Sequence, residues 1–165
     1  MVCAMNFAAP IDSHRETVRP EWIDYNGHMN VAYYVLVFDH ATDVLFEAIG
    51  AGEAYRRATE HSLYAVEMHI TYRRELQVDA PLRLTTQLLD HDAKRLHYIH
   101  HMYHAEDGYL AATDECLSMH VDMTAKRATA MPGEMAARLA TLMEAHRHLP
   151  RPKEVGASVG IRRAG

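Results

Sequence analysis

Residues 30–50 read NVAYYVLVFDHATDVLFEAIG, and residues 62–72 read SLYAVEMHITY. In the first stretch Val31, Tyr34, Val35, Phe38, Ala41, Thr42, Leu45 and Ile49 recur at the i, i+3, i+4, i+7 spacing that lays one stripe along a helix. Asn30 supplies an N-cap and Gly50 a C-terminal stop, while Asp39 and Asp43 lie one turn apart on the opposite face. In the second stretch the period changes to two: Tyr64, Val66, Met68, Ile70 and Tyr72 alternate with Leu63, Ala65, Glu67, His69 and Thr71. That alternation predicts a strand.

Around this pair the order of elements follows. Residues 12–19 are strand-like and close at Pro20, and Gly52 to Glu60 carries a short helical pattern. Leu82 to Leu89, Arg95 to His104 and Tyr109 to Val121 are rich in strand formers, with short polar links between them. Short links between consecutive strands predict an antiparallel meander. Pro132 to His148 is helical, with Pro132 suited to a first turn. The expected class is therefore α+β: a curved antiparallel sheet wrapped around one long central helix, the hot-dog arrangement. Residues 1–149 are read as a single domain, and residues 150–165, rich in Pro, Gly and Arg, as a mobile C-terminal tail. One helix leaves a sheet edge and an outer face open, which predicts a homodimer or homotetramer.

Composition narrows the function. The 165 residues are 48% hydrophobic and 24% charged, the range of a one-domain globular protein, with a formal charge of −5 that argues against a nucleic-acid binder. The two cysteines, Cys3 and Cys116, form no CxxC, which fits a reducing cytoplasm. No apolar run reaches membrane-spanning length, and Met1 to Pro10 has no basic leader pattern. The 13 histidines invite a metal reading. Their densest group, His97, His100, His101 and His104, divides on a strand, with His97 and His101 on one face and His100 and His104 on the other. No three-ligand set survives within it and no zinc motif occurs, so neither a metal nor another cofactor is expected.

The densest chemistry lies just before the long helix, where Asp24, Asn26, His28 and Asn30 alternate through seven residues. A carboxylate there can activate water, and the free N–H groups of a helix N-terminus can hold a developing oxyanion. Asn30 also reads as a plain helix cap. Glu67, mid-strand, is the second acidic candidate, against a favoured reading as a solvated residue on the strand face. Backbone N–H groups around Gly27 to Met29 are the expected oxyanion donors. Among the basic pairs, Lys94 and Arg95 suit the phosphates of a nucleotide-like carrier.

The segment Trp22-Ile23-Asp24-Tyr25-Asn26-Gly27-His28-Met29-Asn30 resembles the Asp-x-Asn-x-His-x-Asn segment of hot-dog acyl-CoA and acyl-carrier-protein thioesterases. Ala41-Thr42-Asp43, Val66 to Ile70, Asp92 to His97 and Met119 to Asp122 are similar to thioesterases of carnitine breakdown. Those occur alone or fused behind L-carnitine dehydrogenase and are assigned to betainyl-CoA hydrolysis. The resemblance covers about residues 15–125. It implies a small acyl-CoA as substrate, no metal, sites at subunit interfaces, and Asp24, Asn26, His28 and Glu67 as the catalytic set, with the base open between Asp24 and Glu67. A betaine acyl group would need aromatic faces for its trimethylammonium, and Trp22, Tyr25, Tyr33, Tyr34 and Tyr64 are at hand, with core packing the favoured role of Tyr34. A non-catalytic acyl-CoA-binding module and a hot-dog acyl-thioester dehydratase or hydratase are the competing readings.

Overall fold

The computed structural model describes residues 6–161; Cys3 and the pair Arg162-Arg163 lie outside them. β1 (Ile11–Thr17) leads through a short 3-10 turn (Pro20–Trp22) to the long helix α1 (Val31–Ala48), followed by α2 (Glu53–Thr59). β2 (His61–Tyr72), β3 (Pro81–His91), β4 (Arg95–His104), β5 (Leu110–Asp122) and the short β6 (Arg127–Ala128) precede α3 (Gly133–His146). The strands form one antiparallel sheet in the order β1-β3-β4-β5-β2, with β6 beside β5.

α1 starts where the sequence predicts. The Asn30 side chain accepts the Ala32 N–H at 2.9 Å, an N-cap that satisfies one of the free donors of the first turn. At the other end Gly50 takes a φ of +78°, the left-handed geometry that glycine adopts without strain. The buried stripe is Tyr34, Val37, Phe38, Ala41, Thr42 and Leu45. Against it pack Leu82, Leu84, Met102 and Ala112 at one end of the sheet. At the other end Leu45 and Ile49 meet Leu88, Leu96 and Tyr98, and α3 seals the cluster with Met135, Leu139 and Leu142.

The expected stripe differs at three positions. Val31 and Val35 are exposed and Val37 is fully buried. At about 100° per residue, Val37 turns toward the sheet with Tyr34 and Ala41, whereas Val31 and Val35 stand on a flank left exposed by the described residues. Pro132 is the N-cap of α3 rather than a residue of its first turn. The segment after α3, expected to be a free tail, is docked on the outer face of the sheet. Glu154 is buried and accepts a hydrogen bond from Arg73 at 3.2 Å, and the Gly156 N–H donates to Glu115 Oε2 at 2.8 Å.

The strand period divides the histidines as read. His100 points inward and is fully buried, where it hydrogen-bonds Thr86 Oγ1 at 2.7 Å and Thr42 Oγ1 at 2.9 Å. His97 faces the other way and meets Glu115 at 2.7 Å.

Candidate active site

The turn before α1 is a closed hydrogen-bonded unit. The Asn26 N–H donates to Asp24 Oδ1 at 2.8 Å, an Asx turn. The Gly27 N–H donates to Asp24 O at 3.0 Å, and the Asp24 N–H donates to His28 O at 3.0 Å. Gly27 has a φ of +84°, so the tip needs the conformational freedom of glycine. Ile23 and Met29 form an antiparallel bridge, and the Asn30 N–H donates to Trp22 O at 2.9 Å. Asp24, Asn26 and His28 are thus gathered in one tight loop against the N-terminus of α1.

Of the amide N–H groups expected as donors between Gly27 and Met29, the structure leaves that of His28 free. The N–H groups of Gly27 and Met29 are spent inside the fold, the latter on Leu76 O at 2.8 Å. Those of Asn26 and Asn30 are spent as well. The N–H groups of His28 and Val31 have no partner among the described residues. Val31 opens the helix, where an unpaired N–H is intrinsic and the dipole favours negative charge.

The segment after β2 was not singled out in the sequence and is part of the neighbourhood. His28 Nε2 lies 3.3 Å from Glu75 Oε2. Tyr34, in the first turn of α1, is buried, and burial pushes its phenol up to about 12, so it stays neutral. Its ring meets Tyr72 edge to face with centroids 5.1 Å apart. Only the pairing of distant segments reveals Tyr72 and Glu75, because each lies more than 40 residues from the loop in sequence.

The aromatic candidates separate into two groups. Trp22 is 3% exposed; Tyr33 stacks on it at 5.3 Å and the Arg19 guanidinium lies 5.0 Å over its ring. Its faces are occupied, so it supports the loop rather than offering a cage, and Tyr33 is committed to that stack. Tyr34 is core, as read. Tyr25 is 98% exposed at the tip of the turn, and Tyr64 and Tyr72 are half exposed on β2.

Glu67 is exposed on β2 beside a bulge at Val66. It lines a cavity of about 510 Å³ on the outer face of the sheet, together with His69, Asp90, Asp92, Arg95 and Glu115. No residue of the Asp24 turn lines that cavity. Arg95 is held by Asp92, its Nε donating at 2.8 Å, and this pairing draws the Asp92 carboxyl down to about 2. An acid-rich cavity whose arginine is already paired is a poor phosphate clamp. Lys94 is exposed, and its backbone N–H donates to Asp92 Oδ1 at 2.8 Å.

Residues 18–139 match the family described as the thioesterase-like superfamily. The chain is 41% identical over 151 residues to the betainyl-CoA thioesterase of Pseudomonas aeruginosa, covering 92% of this chain and 95% of that protein. It is 35% identical over 160 residues to the L-carnitine dehydrogenase/betainyl-CoA thioesterase of Rhizobium meliloti, covering 97% of this chain but only 32% of that longer protein. Among solved structures, the Staphylococcus aureus protein SAV2348 in complex with CoA superposes with a TM-score of 0.87 at 28% identity, over 96% of this chain and 100% of that one. A family match over most of the chain, a near full-length relative and a shared hot-dog architecture agree: the chain belongs to the thioesterase-like superfamily, as a thioester hydrolase.

Proposed function

We propose that this thioesterase hydrolyses a small acyl-CoA whose acyl group carries a positive charge, betainyl-CoA being the best-supported substrate, to CoA and the free acid. The reading is carried by the closed Asp24-Asn26-His28 turn set against the α1 N-terminus. The near full-length likeness to a betainyl-CoA thioesterase supports the acyl group.

In the mechanism we favour, Asp24 is the base. Asn26 holds Oδ1 of its carboxylate through a backbone N–H. Water gives a proton to Asp24 and attacks the thioester carbon. The resulting oxyanion is met by the N–H groups of His28 and Val31. The intermediate collapses with cleavage of the C–S bond, and the CoA thiolate takes the proton from Asp24. His28, aligned by Glu75, positions the substrate. Every step uses groups of the protein itself and needs no cofactor. Glu67 is the second reading for the base, and it requires a subunit assembly that carries it to the loop of another chain.

The trimethylammonium of betaine would meet the open faces of Tyr72 and Tyr25 by cation–π attraction. We further propose that two chains pair through β2. It is an edge strand of 12 residues with Tyr64, Val66, Met68 and Tyr72 exposed; a long apolar edge of this kind normally finds a partner. No helix of the described residues is long and apolar enough to cross a membrane, and the cytoplasm is the proposed compartment.

The test is steady-state hydrolysis with thiol detection, comparing betainyl-CoA with tert-butylacetyl-CoA, its uncharged isostere. A kcat/KM at least about tenfold higher for the charged ester supports cation recognition. Equal rates would remove it. Asp24→Asn should lower kcat by roughly 10²- to 10⁴-fold, the range of a lost general base, with Glu67→Gln near wild type. The reverse pattern would transfer the role to Glu67.

A further inference from the structure

We propose that His14, Glu16 and His40 form a binding site for one divalent cation of the zinc class, which fastens β1 to α1. His14 and Glu16 stand two apart on β1, so both side chains leave the same face of the strand. His40 comes down from the middle of α1 to meet them. His14 Nε2 is 3.0 Å from Glu16 Oε2, and His40 Nδ1 is 2.9 Å from the same oxygen. The three ligand atoms all lie within 4.8 Å of one another.

Those distances are close to what a metal needs. Zinc bonds of roughly 2.0–2.1 Å in a tetrahedron set neighbouring ligand atoms about 3.3 Å apart. The two short edges would open by a few tenths of an ångström, and the edge between His14 and His40, which is at most 4.8 Å, would close toward the same value by side-chain rotation. Two imidazoles and one carboxylate are a borderline donor set, suited to zinc, nickel or copper rather than to magnesium or calcium.

The surroundings fit as well. Arg19 donates to Glu16 Oε1 at 2.9 Å. That bond leaves Oε2 for the cation and fixes the carboxylate plane, as outer partners of metal ligands do. The side chains of His14, Glu16 and His40 are 26%, 11% and 34% exposed, so a water can complete the coordination from outside. The site is separate from the Asp24 turn, and its cation would serve structure rather than hydrolysis.

The test uses the full chain, stripped with a chelator, titrated with Zn²⁺ by calorimetry and with Co²⁺ by visible absorption. We expect saturable uptake of one equivalent per chain, an intense low-symmetry cobalt band, and a higher unfolding temperature with Zn²⁺. His14→Ala and His40→Ala should weaken uptake at least 100-fold and abolish the thermal shift, whereas His97→Ala should leave both intact. His14→Gln can still hydrogen-bond Glu16 but is a poor ligand, so it too should lose the metal while remaining folded. Unsaturable uptake, or equal uptake by His14→Gln and wild type, would leave only a hydrogen-bonded clasp and overturn the proposal.

Discussion

Replacing Asp114 by Asn should make the protein more sensitive to acid, because two buried groups of the sheet titrate against each other. His100 is fully buried, and burial lowers it from 6.5 to about 3. The unfolded chain takes up a proton near pH 6.5 and the folded chain does not, so His100 stabilises above that pH and its contribution is lost as pH falls toward 3. At about 1.4 kcal/mol per pH unit, the loss between pH 7 and pH 5 is about 2 kcal/mol. Asp114 is 1% exposed; its Oδ2 accepts only the Cys116 S–H at 3.0 Å, and its Oδ1 has no partner. Burial raises it from 3.8 to about 6. Its contribution is largest below pH 3.8 and is lost as pH rises through 6, so acidification from pH 7 to 5 returns about 1 kcal/mol. In the wild type the second effect therefore offsets about half of the first. Asp114→Asn removes the compensating one, so the variant should lose about 1 kcal/mol more than wild type between pH 7 and 5. That corresponds to about 2–4 °C in Tm for a chain of this size. The assay is urea denaturation at pH 7, 6 and 5, followed by circular dichroism. Parallel pH profiles for the two proteins would refute the reasoning, whatever their absolute stabilities. A His100→Gln variant should show the opposite change, with a shallower loss in acid.

Three further outcomes follow from the geometry. Asn30→Ala removes the α1 cap and should cost about 1 kcal/mol in the same denaturation assay, with a larger loss of activity because the cap adjoins the site. Val66→Lys with Met68→Lys places two charges on the exposed β2 edge and should shift sedimentation from dimer toward monomer, with activity falling in parallel; a double variant that stays dimeric would show that β2 is not the interface. Glu75→Gln breaks an exposed pair with His28, worth at most about 1 kcal/mol, so kcat/KM should fall by no more than about fivefold.

What was legible in the sequence was whatever a local period or cap encodes. The helix from Val31, the change of period at Ser62, the Asn30 cap and the division of the histidines between two faces all follow from spacing alone. The stripe was misplaced at Val31, Val35 and Val37 because a 3.6-residue period defines an apolar face without saying how far the sheet covers it. The docking of residues 152–156 was hidden because it depends on Glu154 and Gly156 finding Arg73 and Glu115, which no composition rule encodes. The same holds for His14, Glu16 and His40. Counting histidines drew attention to the dense run at 97–104, but 24 residues separate Glu16 from His40, and only the packing of α1 on β1 joins them. For the site, the Asp24 to His28 motif was visible because its chemistry is compressed into one turn. Within Gly27 to Met29, spacing alone did not single out His28 as the residue whose N–H stays free, because that depends on partners such as Leu76 O, which the sequence does not place.

Long-range contacts tie the Asp24 turn to the edge strand. Met29 N–H bonds to Leu76 O, His28 faces Glu75, and Tyr34 packs against Tyr72. All three partners lie at or just beyond the end of β2, the strand that presents the open apolar edge. The turn therefore rests on the terminus of an edge that one chain leaves unpaired. Backbone hydrogen bonds at an unpaired edge open more readily than those within a sheet. Pairing β2 with another chain would steady Tyr72 to Leu76, and through them the loop that carries Asp24. This gives assembly a physical role in the chemistry that does not depend on whether the second chain contributes a side chain. The two possibilities separate in the edge variants. If pairing only steadies the loop, Val66→Lys with Met68→Lys should lower kcat and leave kcat equally reduced for betainyl-CoA and its uncharged isostere. If the second chain supplies an aromatic face for the trimethylammonium, the loss should be greater for the charged ester.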